Sequence, residues 1–257
     1  MSEVPSSILD EEQRDLAYPP GTEFHFWNQS RCHILFDKLP PLDPDALVID
    51  VGCGPGATVK YLRAKGLDAI GCDLAAYREP DPELAPHVHY AQDAFDLPVE
   101  TRRRVKLVLL LDVLEHMEDP ESFLSRCIEG FENLEHVLLM MPARSELWTG
   151  FDDYYGHVRR YDGPSLRALC GEARLEISAM GYCFHGLYLA VGASKLLWRS
   201  RTIGVKPIAH HWAHGLLARL FHLEEKLLPG SLPGTTIWAT TSVASRPARS
   251  ERDQPSR

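Results

Sequence analysis

Short runs of apolar residues alternate along the chain with segments of helical spacing. The runs are rich in Val, Ile and Leu and are bounded by Pro, Gly or charged residues, a pattern typical of strands buried on both faces of a sheet. The predicted strands span residues 46–51, 67–72, 87–91, 105–111, 137–141, 175–182 and 235–243.

Apolar positions three or four residues apart predict helices between these strands. The predicted helices cover residues 23–39, 58–65, 120–131, 165–170, 186–199 and 207–228. Strands that alternate with helices predict an α/β doubly wound fold, with a mostly parallel sheet and helices on both of its faces. We expect an antiparallel strand near the C-terminus, and a helical cap at about residues 186–228 inserted between the last two strands.

Three segments lack these patterns. Residues 1–21 are predicted to be flexible, residues 22–244 to form one domain, and residues 245–257, rich in Arg, Ser and Pro, to be a disordered tail. Residues 143–163 are polar and aromatic, and loops of that length in compact domains are usually functional or disordered. This loop is therefore a candidate part of a functional site.

Composition narrows the classes of function. The chain has 27 Lys and Arg against 36 Asp and Glu, and the net charge of −9 argues against non-specific binding of nucleic acid. The basic run at residues 102–106 is expected to be a solvated loop edge. Apolar stretches are too short to span a bilayer, the N-terminus lacks the features of a secretory signal, and the six cysteines are scattered without a C-x-x-C pair. We therefore expect a cytoplasmic protein with reduced thiols.

A glycine-rich turn follows the first predicted strand, in the order Asp50, Val51 and then Gly52-Cys53-Gly54-Pro55-Gly56. Glycines let the backbone turn sharply and approach a ligand closely. The segment also satisfies a dinucleotide fingerprint through Gly52, Gly54 and Ala57. A carboxylate at Asp50 is awkward beside a pyrophosphate, however, and suits a cationic amino-acid ligand instead.

From about Phe24 to Gly181 the sequence resembles the class I S-adenosylmethionine-dependent methyltransferases. It is most similar to the bacterial small-molecule branch with a D-V-L-E-H segment, here residues 112–116, and a G-H-x-R-R-Y segment, here residues 156–161. The resemblance implies a Rossmann-like, seven-stranded methyltransferase sheet. It also implies S-adenosylmethionine as the methyl donor and S-adenosylhomocysteine as a product.

The resemblance further implies a set of cofactor contacts. The three glycines would line the methionine portion, Asp73 would accept hydrogen bonds from both ribose hydroxyls, and Asp93 would accept from the adenine amino group. Arg31 would pair with the cofactor carboxylate, or is instead a surface arginine beside core aromatics. The expected contacts are Arg31, Asp50, Gly52, Cys53, Gly54, Gly56, Asp73, Leu74, Asp93, Ala94, Leu111, Asp112 and Val113.

Two histidines are candidates for general base. Methyl transfer from a sulfonium is an in-line displacement, so a base is needed only if the acceptor must lose a proton. His116 follows the fourth strand at the ligand-bearing edge, where it acts as a base or is hydrogen-bonded structurally. His157 lies in the 143–163 loop and is the second candidate.

The same loop supplies the expected acceptor pocket. Trp148, Tyr154 and Tyr155 would wall it, and Arg160 would bind an anionic acceptor or, alternatively, pin the loop to the domain. His210 and His214 lie one helical turn apart, but no further zinc ligands are specified, so we expect a helix surface or pocket cap and no metal site.

The expected function is methyl transfer to an oxygen or nitrogen of a small-molecule acceptor. The alternatives are a lipid-linked or membrane-associated acceptor docked by the apolar helices at 186–228, and a non-catalytic protein that binds S-adenosylmethionine. A nicotinamide oxidoreductase would use the same glycine turn, but no Ser-Tyr-Lys set is present.

Overall fold

A single seven-stranded sheet organises the protein, whose structure is a computed structural model that describes residues 9–77, 81–197 and 210–244. The strands are β1 (Leu47–Val51), β2 (Asp68–Asp73), β3 (Val88–Tyr90), β4 (Val105–Leu111), β5 (His136–Pro142), β6 (Leu175–Cys183) and β7 (Thr236–Val243). Their order in the sheet is β3-β2-β1-β4-β5-β7-β6. Neighbours among β1 to β5 are parallel, whereas β7 runs antiparallel to both β5 and β6. The predicted α/β doubly wound sheet is confirmed.

Helices cover both faces of this sheet. They are α1 (Glu11–Ala17), α2 (Phe26–Asp37), α3 (Ala57–Ala64), α4 (Val99–Arg104), α5 (Pro120–Gly130), α6 (Gly150–Tyr154), α7 (Gly163–Glu172), α8 (His185–Leu197) and α9 (His211–Leu227). Helix α5 begins with Asp119 as its N-cap, which accepts from the Ser122 amide at 3.0 Å, and with Pro120 in the first turn.

The core lies in two apolar layers, one on each face of the sheet. Strand β4 shows why, since Leu107 and Leu109 pack into one layer while Val108 and Leu110 pack into the other, and all four are fully buried. Burial on both faces requires a continuous apolar run. Each strand lies within one residue of its predicted bounds.

The N-terminal segment contains a helix that the apolar pattern does not predict. Residues 11–17 form α1, which begins with a capping box in which Asp10 accepts from the Gln13 amide at 2.8 Å and Gln13 accepts from the Asp10 amide at 2.9 Å. Residues 1–8 and the predicted disordered tail at 245–257 lie outside the described residues.

Two segments interpreted as loops contain short helices. The basic run from Arg102 to Arg104 ends α4, where Arg103 pairs with Glu132 at 3.0 Å and Arg104 pairs with Asp68 at 2.7 Å. The 143–163 segment contains a 3₁₀ turn at Ser145–Leu147 and the helix α6.

The cap helices lie between β6 and β7, as expected. Helix α9 packs along α2, with the rings of Phe26 and Phe221 stacked at 5.6 Å. Helix α8 reaches the 143–163 segment, where the Tyr188 hydroxyl donates to Glu146 at 3.2 Å. In the described ranges, no helix is both long and apolar enough to cross a membrane.

Candidate functional site

The carboxyl ends of β1, β2 and β4 meet at one edge of the sheet and enclose a cavity of about 180 Å³. Parallel sheets bind ligands at this edge, where the strand order reverses. The lining residues are Leu9, Arg14, Tyr18, Val51, Gly52, Cys72, Asp73, Leu74, Ala75, Tyr77, Gln92, Asp93, Ala94, Asp112, Val113, His116, Met117, Phe123 and Arg126.

The glycine-rich turn forms one wall of the cavity. Gly52 has a φ of +77°, and a Cβ at this position would lie 2.8 Å from Cγ2 of Val113. Only glycine adopts that backbone conformation and leaves that space open. The amides of Gly52 and Cys53 both donate to the carbonyl of Cys72, at 2.8 and 3.2 Å, which fixes the turn against β2.

Asp73 is held at the end of β2 by two backbone amides. Its Oδ2 accepts from the Gly54 amide and its Oδ1 from the Ala75 amide, each at 2.8 Å. Burial raises the pKa of Asp73, while these two hydrogen bonds and the charge of Arg14 oppose the shift. The carboxylate is thereby oriented into the cavity and keeps lone pairs for a ligand with two adjacent hydroxyls.

Asp93 lies on the neighbouring wall and is already bonded within the protein. Its Oδ1 accepts from the Phe95 amide at 3.0 Å, and its Oδ2 accepts from Arg126 at 2.9 Å. Arg126 in turn lies over the Phe95 ring, 4.0 Å from its centroid. Together Asp93, Ala94 and Arg126 form a rim of mixed polarity.

A buried group of charges lies beneath the glycine turn. Arg31 forms an ion pair with Asp112 and stacks on Trp27, with the guanidinium carbon 4.6 Å from the ring centroid. Asp50 is buried, and its Oδ1 has no hydrogen-bond partner. Burial raises the pKa of Asp50 to about 7, against the opposing charge of Arg31. An unpartnered buried acceptor of this kind suits a cationic ligand group.

Helix α1 and the residues after it cover the cavity. A Cβ at Gly54 would lie 3.1 Å from the ring of Tyr18, so this tyrosine lies directly over the glycine turn. Burial raises the pKa of Tyr18, and its hydroxyl is therefore neutral. The Gln13 side chain donates to the carbonyl of Tyr154, which ties α1 to α6.

His116 and His157 lie against each other, with their rings edge-on and 4.8 Å apart. His116 lines the cavity, and burial together with the neighbouring His157 lowers its pKa to about 4. It is therefore neutral near pH 7. His157 Nδ1 is 3.0 Å from Oδ1 of Asp152, whose pKa is lowered by His157 and Arg160 despite burial.

Glu115 completes this group. Each of Glu115, His116 and His157 has a side-chain nitrogen or oxygen that could bind a metal ion, and these three atoms lie within 4.8 Å of one another. The sequence pattern does not predict a metal site here. The Glu115 side chain is fully buried and neither of its oxygens has a hydrogen-bond partner. Burial and the charge of Asp112 raise its pKa well above the usual range, which favours the neutral acid.

Residues 25–179 match a family model described as a methyltransferase domain. The chain belongs to this methyltransferase family.

Curated relatives and solved structures agree with this assignment. A ubiquinone biosynthesis O-methyltransferase of Rhodopseudomonas palustris (strain TIE-1) is 36% identical over 84 residues, which are 31% of this chain and 33% of the relative. The corresponding protein of Acinetobacter baylyi (strain ATCC 33305 / BD413 / ADP1) is 28% identical over 142 residues, or 47% and 58% of the two chains. The methyltransferase chain thus spans from a third to about three fifths of these relatives.

Two solved structures show the same fold at low sequence identity. The geranyl diphosphate C-methyltransferase of Streptomyces coelicolor A3(2), in complex with Mg²⁺, geranyl-S-thiolodiphosphate and S-adenosyl-L-homocysteine, has a TM-score of 0.54 and 12% identity over 84% of this chain and 76% of that one. The phosphoethanolamine N-methyltransferase 2 of Haemonchus contortus, in complex with S-adenosyl-L-methionine, has a TM-score of 0.53 and 14% identity over 85% and 53%.

The cavity brings together many of the residues that sequence analysis indicated. Gly52, Asp73, Leu74, Asp93, Ala94, Asp112, Val113 and His116 line the cavity. The lining does not include Asp50, Cys53, Gly54, Gly56 or Arg31. Cys53 is buried, and its Sγ lies 2.6 Å from where a Cβ at Gly71 would be, so its role is to pack the turn. Arg31 pairs with Asp112 through Nη1, and its Nε has no hydrogen-bond partner.

Several predicted contacts do not line the cavity. Leu111 is 5% exposed and packs into the same core layer as Leu107 and Leu109, because alternate residues of β4 share a face. Arg160 donates to Asp152 at 2.8 and 3.0 Å and to the carbonyl of Ala143 at 3.0 Å, so it pins the loop.

The aromatic residues expected to wall an acceptor pocket also lie outside the cavity. The Trp148 indole donates to Asp153 at 2.8 Å, and Tyr155 is buried against Phe151, with ring centroids 4.5 Å apart. The carbonyl of Tyr154 accepts from the Gln13 side chain of α1. The described residues of α8 and α9 do not line the cavity either.

The histidines near the start of α9 pack against α2. His214 Nδ1 accepts from the Phe26 amide at 3.1 Å, and the ring of His211 stacks on Phe24 at 4.5 Å. These contacts agree with the interpretation of this motif as a helix surface.

Sequence analysis missed the contribution of the N-terminal segment. Arg14 and Tyr18 line the cavity, and neither belongs to a glycine-rich or strand-end motif. A signal was nevertheless present, because Asp10 followed three residues later by Gln13 is a capping box that begins a helix.

Proposed function

We propose that this protein transfers the methyl group of S-adenosylmethionine to an oxygen of a small-molecule acceptor, leaving S-adenosylhomocysteine. The observation that carries the proposal is the pairing of the glycine turn with Asp73, joined by the hydrogen bond from the Gly54 amide. Membership in the methyltransferase family supports the reaction class. The O-methyltransferase names of the curated relatives favour an oxygen over a nitrogen acceptor.

The residues of the cavity fit the proposed cofactor. The buried, unpartnered Oδ1 of Asp50 suits an amino-acid ammonium group, and Gly52 leaves space that any Cβ would fill. Asp73 suits a ribose with two hydroxyls. Bound S-adenosylmethionine would supply an electrophilic methyl group on a sulfonium, which needs no further activation.

The remaining work falls to residues of the chain. Tyr18 covers the glycine turn and excludes water from that side. Asp73 and Asp50 orient the cofactor, which is the larger part of catalysis for an in-line displacement. His116 is the proposed base, since it lines the cavity and is neutral near pH 7, whereas His157 does not line it. Asp152 and His157 hold the ring of His116 from behind.

The test is isothermal titration of the full chain with S-adenosylhomocysteine and, separately, with NAD. We expect micromolar binding of S-adenosylhomocysteine alone, and a loss of at least tenfold in affinity in Asp73→Ala, because the ribose loses both hydrogen bonds. Asp96→Ala is the matched control, since it removes an exposed carboxylate from the adjacent turn that does not line the cavity. Binding of NAD alone would contradict the proposal and favour a nicotinamide oxidoreductase.

A further inference from the structure

Helix α9 has a second apolar face that no described residue covers. Its inner face packs on α2 through Phe221, whereas Trp212, Leu216, Leu220, Leu223 and Leu227 are between 51% and 75% exposed. At 3.6 residues per turn these five positions fall within an arc of about 80°. They therefore form one continuous stripe, which we call the α9 stripe.

Neighbouring residues extend the apolar surface beyond the helix. Leu189 on α8 is 70% exposed, and Leu228 and Leu232, after the end of α9, are exposed as well. Isolated exposed leucines are common, but a contiguous patch of this kind marks a surface that contacts a partner or a membrane.

The charged side chains exposed on α9 are basic. Arg219 and Lys226 are exposed along one edge of the stripe, and Lys226 also pairs with Asp37 at 3.0 Å. The two acidic residues of this helix are less exposed, since Glu225 is buried and Glu224 is only partly exposed.

We propose that the α9 stripe is a docking surface for an anionic phospholipid bilayer. A helix with an apolar stripe and flanking Lys or Arg residues lies in the plane of a membrane interface, with its apolar side chains in the acyl boundary. Exposed Trp212, at the first turn of α9, suits the interfacial position that tryptophan prefers.

This inference is independent of the proposed methyl transfer. The described residues of α8 and α9 do not line the cavity, so a change in the stripe leaves the cofactor contacts in place. Binding of vesicles and binding of S-adenosylhomocysteine are therefore separable measurements.

The test is co-sedimentation of the full chain with vesicles of phosphatidylcholine alone or mixed with phosphatidylglycerol. We expect binding to the anionic vesicles that weakens as salt is added. Leu220→Glu should reduce this binding at least tenfold. Val99→Glu is the matched control, because it places the same charge at a comparably exposed apolar position on α4. Trp212→Ser provides a second, uncharged variant at a position that is 75% exposed.

Three outcomes would overturn the inference. One is the absence of binding to anionic vesicles, and another is equal binding by the Leu220→Glu and Val99→Glu variants. The third is a dimer of the lipid-free protein in sedimentation velocity that Leu220→Glu converts to a monomer, which would assign the stripe to a second copy. Unchanged affinity for S-adenosylhomocysteine in Leu220→Glu confirms that the variant is folded.

Discussion

At the scale of single residues, burial shifts the pKa values of two ionisable groups at the site. Burial favours the neutral forms of Asp50 and His116, and both are consequences of the same low-dielectric environment at the strand ends. Their effects on stability have opposite signs, however, because a neutral acid has gained a proton and a neutral histidine has lost one. Each can therefore be isolated by substitution.

We predict that Asp50→Asn alters the pH dependence of stability in the cofactor-free protein. The pKa of Asp50 is raised to about 7 when folded, so between pH ~4 and 7 the folded state binds a proton that the unfolded state does not. Asp50 therefore becomes more favourable to folding as the pH falls through this window. At 1.36 kcal/mol per pKa unit the effect is up to about 4 kcal/mol.

The measurement is the free energy of unfolding in urea at pH 5 and at pH 8. The free energy of unfolding of the wild type should increase relative to that of Asp50→Asn at the lower pH. Both proteins contain His116, so the titration of this histidine contributes equally to each and cancels in the difference. Asp96→Asn serves as the control, because Asp96 is exposed. A difference between wild type and Asp50→Asn that does not change with pH would show that Asp50 is ionised when folded.

Sequence analysis located the residues whose positions follow from the order of strands and turns along the chain. Asp50 and Asp73 adjoin strand ends and a glycine turn, so their meeting at one sheet edge follows from parallel topology. Leu111 does not line the cavity, because its side chain lies on the face of β4 that packs with Leu107 and Leu109. Tyr18 was missed because its contact with Gly54 joins segments far apart in the chain.

At the scale of elements, the 143–163 segment is held by one buried carboxylate. Asp152 is fully buried and accepts from Arg160, from the Thr149 amide at 2.8 Å and from His157. This group fixes the start of α6 and the orientation of His157 together. The length and polarity of the segment suggested a substrate loop, whereas its contacts show an ordered wall behind His116. The sequence pattern does not predict this wall, because the ion pair between Asp152 and Arg160 depends on how the segment folds.

We predict that Asp152→Asn destabilises the protein by about 3–5 kcal/mol, because it leaves the buried guanidinium of Arg160 without its counter-charge. The measurement is the urea midpoint at pH 7. Asp153→Asn is the matched control, since Asp153 is the exposed neighbour on the same helix and binds only the Trp148 indole among the contacts described for its side chain. Equal midpoints for the two variants would mean that Arg160 finds another partner or reaches water.

At the scale of the whole molecule, the strands and their order follow from the alternation of apolar runs and helices. The position of α1 does not, since it rests on a capping box and on one hydrogen bond between Gln13 and Tyr154. The same apolar layers that fix the sheet also enclose the six cysteines, all of which are free and buried. Burial raises the pKa of these thiols, for example that of Cys32 to about 11 and that of Cys72 to about 12.

We predict that the thiols report global unfolding. A colourless disulfide reagent that releases a coloured thiolate should react slowly with the native protein and rapidly with all six cysteines in denaturant, because both access and ionisation require the core to open. The rate in increasing urea should follow the unfolding curve measured by circular dichroism. Rapid reaction of any thiol in native buffer would identify a local opening.

The place of β7 in the sheet has a consequence for synthesis. β7 is inserted between β5 and β6 and supplies all the sheet pairing of β6, yet it is the last strand to be translated. Until the ribosome has passed Val243, β5 has an open apolar edge and β6 has no neighbour. Nascent chains at this stage expose the kind of surface that chaperones bind and that aggregates. The sheet is therefore complete only once β7 has been added between β5 and β6.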